Sequence, residues 1–174
     1  MTNKTHRLVL GENFQGDWAA VIAAPFGRLG IQTGMVDGSL MVIQICYLPK
    51  STKLVTPKDD LAKKVQEQCQ SYFKDPNFVF DLPVAPAGTL FQNKVWSQIN
   101  QIHNGKTLTY GDVAKNINSA PRAVGQACGS NPYPLIVPCH RVVSATGIGG
   151  FVHQDGEGFH RQVKTWLLTH EGVI

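Results

Sequence analysis

NPYPLIVPCHRVV, residues 131–143, is the stretch on which the reading of the chain turns. Three prolines bracket an apolar run, and Cys139, His140 and Arg141 follow Pro138 directly. A cysteine in such a run is by default a core residue. Pro138, however, removes a backbone donor just before Cys139 and fixes the chain direction, and His140 and Arg141 are costly neighbours inside a wholly buried strand. The run PLIVP is therefore expected to be a stiff mount, an apolar strand ending at a polar site.

A thiol attacks carbon only as a thiolate, which a nearby imidazole can generate. Successive residues on an extended chain point to opposite faces, so His140 reaches Cys139 only through a turn or a bridging water. An imidazole also needs an orienting acceptor. KTWLLTHEG, residues 164–172, predicts a C-terminal helix that offers Glu171 as the best remaining carboxylate.

Composition sets bounds on the rest. The 174 residues are 43% hydrophobic and 16% charged, an ordinary globular balance that excludes disordered and fibrous classes. No apolar run approaches the length of a membrane span, and MTNKTHRLVLGEN has too short an apolar segment for a secretory signal, so a soluble cytoplasmic protein is expected. Cys46, Cys69, Cys128 and Cys139 include no CxxC pair, which argues against a zinc knuckle or a disulfide framework. The first 85 residues carry 9 Lys and Arg against 8 Asp and Glu, whereas residues 86–174 carry 7 against 4 and five of the six histidines. The excess points weakly to a polyanionic partner for the second half.

The chain divides near residue 85. AAVIAAPFGRLGIQTGMVDG predicts short strands with glycine turns, and LMVIQICYL (40–48) a buried strand. TPKDDLAKKVQEQCQSYFKD (56–75) predicts a helix opened by Pro57 and two aspartates, with Leu61, Val65, Cys69 and Tyr72 or Phe73 on one face. FDLPVAPAG (80–88) has the prolines of a linker. Beyond it, Phe91, Val95, Ile99 and Ile102 mark an amphipathic helix that supplies core. Two short helical patterns follow, Tyr110 to Asn116 and Pro121 to Cys128, joined by the polar turn Asn118-Ser119-Ala120. They fit a helix-turn-helix, although many proteins that bind no DNA have such corners. The second pattern is nearly bare of bulk, with Ala123, Gly125 and Ala127 beside Arg122. On residue chemistry alone, Arg122 reads as a solvent-facing cation next to a tight helix contact.

Together these segments resemble the O6-alkylguanine-DNA alkyltransferases, the methylated-DNA:protein-cysteine methyltransferases. The resemblance rests on GTLFQNKVW (88–96), TYGDVA (109–114), RAVGQA (122–127) and above all NPYPLIVPCHRVV, and it resumes at KTWLLTHEG. The first 79 residues are similar only in layout. The resemblance implies an N-terminal α/β domain with a small antiparallel sheet (1–85, linker included). A mostly helical, winged-helix-like domain with the helix-turn-helix (86–174) would bind DNA and carry the reaction.

By the same resemblance, Cys139 is the thiolate that accepts the alkyl group, with His140 linked to it through a water and Glu171 holding the imidazole. Tyr110 would polarise or protonate the departing guanine, and Asn131 would organise the turn ahead of the cysteine. Arg122 would fill the gap left by the flipped nucleotide, with Ala123 and Gly125 allowing close approach in the minor groove. The backbone of Val142 and Cys139 would read the base edge. The implied partner is duplex DNA containing O6-alkylguanine, with O4-alkylthymine as a second lesion, and the protein would act once, as a monomer. No organic cofactor is expected, and no metal, since the N-terminus offers only Cys46 and His6 as ligands. Phe151 stands where the family commonly has a tyrosine, and the segment HQDGEGFHR lengthens the lid, so both bear on the pocket rim. Two other readings stay open on residues alone, a Cys-His hydrolase or acyltransferase and a DNA-binding module without chemistry.

Overall fold

The computed structural model describes residues 17–149 and 158–174. Phe151, His6 and most of HQDGEGFHR lie outside the described residues.

The N-terminal half is a meander of β1 (Ala20–Ala24), β2 (Gly27–Val36) and β3 (Ser39–Leu48), antiparallel in that order, covered by α1 (Asp60–Lys74). β2 is a single ten-residue strand rather than short strands with glycine turns. Gly30 and Gly34 sit inside it because neighbours crowd them. A Cβ on Gly30 would lie 2.8 Å from Leu48 Cδ1 and 2.9 Å from the Trp18 ring, and one on Gly34 would lie 2.1 Å from Ile43 Cδ1. Asp59, the first of the two aspartates after Pro57, caps α1, its carboxylate accepting from Ala62 N. Tyr72 is the buried aromatic of its face and Phe73 is half-buried.

β3 also organises the second half through its outer edge. Pairing with β2 shifts register between Gln32 and Thr33, which leaves Ile43 as an extra residue on β3. The outward N–H groups are consequently three residues apart. Val42 N donates to Pro83 O (2.8 Å), and Ile45 N donates to Pro132 O (2.9 Å). Ala85 N returns a bond to Val42 O (2.9 Å), so the proline-rich linker is held against the sheet edge, where proline is tolerated. The NPYP turn is anchored beside it, and the Tyr133 hydroxyl donates to Ala85 O.

α2 (Leu90–Ile99) follows a Thr89–Gln92 capping box, and α3 (Tyr110–Asn116) a Thr109–Asp112 capping box. α4 (Pro121–Gly129) starts with proline in its first turn. The turn between α3 and α4 carries Asn118 at φ 56, a conformation asparagine tolerates well. Trp96 Nε1 donates to Ala127 O (2.9 Å) and locks α2 to α4. Phe91 does not join the core: it is 36% exposed beside Leu90 at 93%, because the first turn of α2 overhangs the small residues of α4. A groove of about 350 Å³ results, lined by Phe91, Gln92, Ala123, Gln126 and others.

PYPLIVP is not a strand. It runs as turns, with Leu135 buried at φ 73, and ends in a 3₁₀ turn over Cys139–Arg141 before the two-residue β5 (Val142–Val143). β5 pairs in parallel with β4 (Leu108–Thr109), and α5 (Phe159–His170) closes the chain. Prolines at 132, 134 and 138 deny the segment ladder donors, which is why it folds as a compact support. Buried side chains of both halves, from Leu29 and Val65 to Val124 and Leu167, form one continuous core. Among the described residues no helix is long and apolar enough to cross a membrane.

Gly88 precedes the α2 cap at φ +81, and a Cβ there would lie 2.5 Å from Trp96 Cη2. Gly88→Ala should therefore cost about 2 kcal/mol or more in urea denaturation. Gly38→Ala, at φ +80 in open space, should show only the backbone part, about 1 kcal/mol.

Candidate active site

The 3₁₀ turn lets the adjacent His140 and Arg141 face one partner while Cys139 faces another, which the alternation of an extended strand would not provide. Cys139 is 4% exposed. Asn131 Nδ2 donates to its Sγ (3.2 Å) and to Val137 O (2.8 Å), while Asn131 Oδ1 accepts from Tyr133 N (2.9 Å). One amide thus shapes the turn and addresses the sulfur.

His140 and Arg141 both turn toward Glu171, the residue that caps α5. His140 Nε2 donates to Glu171 Oε1 (2.8 Å). Arg141 grips the same carboxylate with Nε on Oε2 (3.0 Å) and Nη2 on Oε1 (2.8 Å), and its Nη1 donates to Ile102 O (2.7 Å). The Tyr72 hydroxyl adds a further bond to Oε1 (2.9 Å). The Glu171 side chain is wholly inaccessible. Burial pushes its carboxyl up, but the bonds from His140 and Arg141 outweigh it and hold the group down at about 2.

His140 titrates below its ordinary value because burial disfavours the imidazolium, with Arg141 and Lys164 adding to that and Glu171 opposing it. The resting site is thus neutral imidazole on carboxylate. With Nε2 committed to Glu171, Nδ1 is the acceptor nitrogen, and among the described residues no hydrogen-bond partner meets it. The Cys139 thiol is held up, first by burial and then by the Cys128 thiol, while Asn131 and Lys164 pull it down.

Lys164 is the residue that sequence reading missed. It is fully buried, its Nζ donates to Val142 O (2.7 Å) and lies 5.7 Å from the centre of the Tyr110 ring. Burial brings its ammonium down to about 8, and the Cys128 and Cys139 thiols oppose the change. The signal was its place on the stripe of Leu167 and Leu168, where a helix facing core carries apolar residues. Tyr72 had no such signal, since it acts from 99 residues away.

Tyr110 begins α3, with Gly125 of α4 against one edge of its ring and Gly149 against another. A Cβ on Gly125 would sit 3.9 Å from the ring, and one on Gly149 3.3 Å. Arg122 and Ala123 lie on the first turn of α4, Arg122 exposed. Two hydrogen-bonded pairs, Asn131 with Cys139 and His140 with Glu171, meet at adjacent residues of the 3₁₀ turn, and Lys164 links Val142 O to the Tyr110 ring. Arg122 stands apart on the outer face. Cys46 accepts from Gln44 Nε2 (3.0 Å), and among the described residues no group of His, Cys, Asp or Glu is placed to hold a metal.

Residues 90–173 match the family model of the 6-O-methylguanine DNA methyltransferase DNA-binding domain. The methylated-DNA:protein-cysteine methyltransferase of Methanosarcina acetivorans is 40% identical over 116 residues, covering 66% of this chain and 71% of that one. The chain belongs to the methylated-DNA:protein-cysteine methyltransferase family. Among solved structures, Mycobacterium tuberculosis O6-methylguanine methyltransferase superposes with a TM-score of 0.70 at 31% identity, over 87% of this chain and 90% of that chain. The same organism's protein in complex with DNA gives 0.67 at 34% identity, with the same coverage. The shared fold of this methyltransferase and those neighbours extends over the small antiparallel sheet as well as the helical half, since the match covers 87% of the chain.

The site makes stability depend on pH in a defined direction. Glu171 has a folded value near 2 against an ordinary 4.5, so its contribution is complete above pH 4.5 and is lost as pH falls toward 2. His140 is also lowered from 6.5, so its contribution is complete above that value and starts to fade below it. Denaturant midpoints should fall gently below pH 6.5 and steeply below 4.5. Glu171→Gln should remove the steep limb and cost about 3 kcal/mol at pH 7, because the mostly buried Arg141 loses its counter-charge and keeps only neutral acceptors, the Ile102 carbonyl among them.

Proposed function

We propose that the protein transfers the alkyl group of O6-alkylguanine, and of O4-alkylthymine, in duplex DNA to Sγ of its own Cys139. The observation that carries this reading is the assembly of Cys139, His140 and Glu171 on one turn and one helix cap, with Asn131 on the sulfur. The Cys139 proton passes through a water to Nδ1 of His140, and Glu171 stabilises the imidazolium that forms. The thiolate attacks the alkyl carbon in line. The S–C bond forms as the C–O6 bond breaks, and the electron pair leaves on guanine, whose charge Tyr110 relieves by donating or polarising through its hydroxyl. Lys164 steadies this step through Val142 O, next to the backbone that meets the base edge.

The reacting carbon lies inside a base stack, so the nucleotide must be extruded first. Arg122 stands exposed among small residues, with Ala123 in the α2–α4 groove and Gly125 beneath Tyr110, and we assign it the space vacated by the base. The DNA complex of the M. tuberculosis neighbour supports DNA as the partner. We place the two functional halves at 1–85 and 86–174, with Phe151 on the pocket rim. The protein works as a monomer, without cofactor, in whichever compartment holds the DNA: the cytoplasm of a prokaryote or the nucleus of a eukaryote.

A thioether offers water no carbonyl or phosphoryl to attack, so each molecule acts once. Intact mass after excess O6-methylguanine DNA should show a single added methyl, mapped to the Cys139 peptide, and Cys139→Ala should bind DNA without reacting. Continued release of guanine beyond one per protein would instead indicate a turnover enzyme such as a Cys-His hydrolase.

Arg122 separates extrusion from chemistry. Arg122→Ala should slow transfer from duplex DNA by about tenfold or more, ~1.4 kcal/mol out of the few that extrusion costs. Reaction with free O6-benzylguanine should be almost unaffected. Equal slowing on both substrates would move Arg122 out of the finger role and into the pocket or the fold.

A further inference from the structure

Alkyl transfer leaves one thiol beside the site without a task. Cys128 ends the last full turn of α4 and is only partly buried. Its carbonyl accepts from Asn131 N (3.2 Å), the residue whose side chain donates to Cys139 Sγ (3.2 Å), so a single asparagine ties both cysteines to one turn. The two thiols are within hydrogen-bonding reach of each other, and both act on the ammonium of Lys164. Cys46 is instead engaged by Gln44, and Cys69 is buried on the core face of α1. Both members of the pair are free thiols.

We propose that Cys128 and Cys139 are a redox modification site, closing to a reversible disulfide when the protein meets a peroxide. One thiolate attacks a peroxide oxygen; the O–O bond breaks, one water leaves, and a sulfenic acid remains on sulfur. The second thiol attacks that sulfur, the S–O bond breaks and a second water leaves. Two thiols have then lost two electrons and two protons, and one peroxide has become two waters. A nearby ammonium favours the thiolate that both steps need. The cysteines sit at a helix end and in a turn, both within reach of Asn131, where side-chain rotation and a small shift of the turn bring the two sulfur atoms to bonding distance.

The bond itself does not depend on which residue accepts the alkyl group, but its consequence rests on the proposed function. With Cys139 as acceptor, the disulfide stops repair while it lasts and shields the nucleophile from irreversible oxidation to sulfinic acid, and cellular dithiols restore it by exchange.

The test uses the full chain, treated with hydrogen peroxide, capped with N-ethylmaleimide and digested without reductant. A Cys128–Cys139 linked peptide pair is expected, with two thiols lost per chain, and dithiothreitol should return alkyl transfer to its starting level. Protein first methylated with O6-methylguanine DNA should form no such pair. Cys128→Ala and Cys128→Ser should show no cross-link, and peroxide should inactivate them in a way dithiothreitol does not reverse, with two oxygens added on the Cys139 peptide. If either variant fails to fold, the wild-type peptide map still decides. Absence of the linked pair, pairing through Cys46 or Cys69, or full recovery of Cys128→Ala after peroxide would each overturn the proposal. Failure of the functional reading shows separately, as methyl absent from the Cys139 peptide while the linked pair still forms.

Discussion

A carboxylate taken out of water is the constraint around which this structure is built. Glu171 has no exposed side-chain surface, and an ion in that position is tolerable only if its oxygens are saturated. Three side chains do this: His140 from the 3₁₀ turn, Arg141 from the next position, and Tyr72 from the far half of the chain. Each donor is thereby fixed in orientation. The imidazole is held in one tautomer, with Nδ1 as its free acceptor, and the turn that carries His140 also aims Cys139.

The same carboxylate explains why an N-terminal half with no assigned chemistry packs so closely on the second. α1 supplies Tyr72 to Glu171, and the outer edge of β3 anchors both the linker at Pro83 and the NPYP turn at Pro132. The extra residue at Ile43 spaces those edge donors. Sheet, helix and turn thus converge on the support of one sulfur. Precision of this kind matters to displacement chemistry, where small misplacements of the nucleophile are costly in rate.

Much of this was legible in the sequence. Apolar spacing located α1 and α2, KTWLLTHEG marked the last turns of α5, the polar turn located the break between α3 and α4, and prolines around an apolar run marked residues 131–143 as a support. The chemistry-bearing residues were legible because their types are expensive in a core and cluster in short motifs. What periodicity could not show were partnerships across the chain. The role of Tyr72 needs a tertiary contact over 99 positions, and Arg141 reads locally as a cost, not as the clamp on Glu171. The strand expected before Cys139 became turns because prolines deny it a ladder, and Phe91 stayed outside because α4 is too small to cover it. Gly30 and Gly34 looked like turn residues but answer to crowding within one strand.

Cys139 owes its reactivity to the His140–Glu171 pair. The direct measurement is the pH dependence of Cys139 carboxamidomethylation by iodoacetamide, read by peptide mass, in the wild type, His140→Ala and Glu171→Gln. The wild-type rate should fall as pH drops below the ordinary histidine value of 6.5, where the imidazole begins to lose its capacity to take the thiol proton. In both variants, verified as folded, the rate at pH 7 should drop and the profile should move up toward that of an unassisted buried thiol. Profiles identical to wild type in both variants would contradict the account and assign the thiolate to another source.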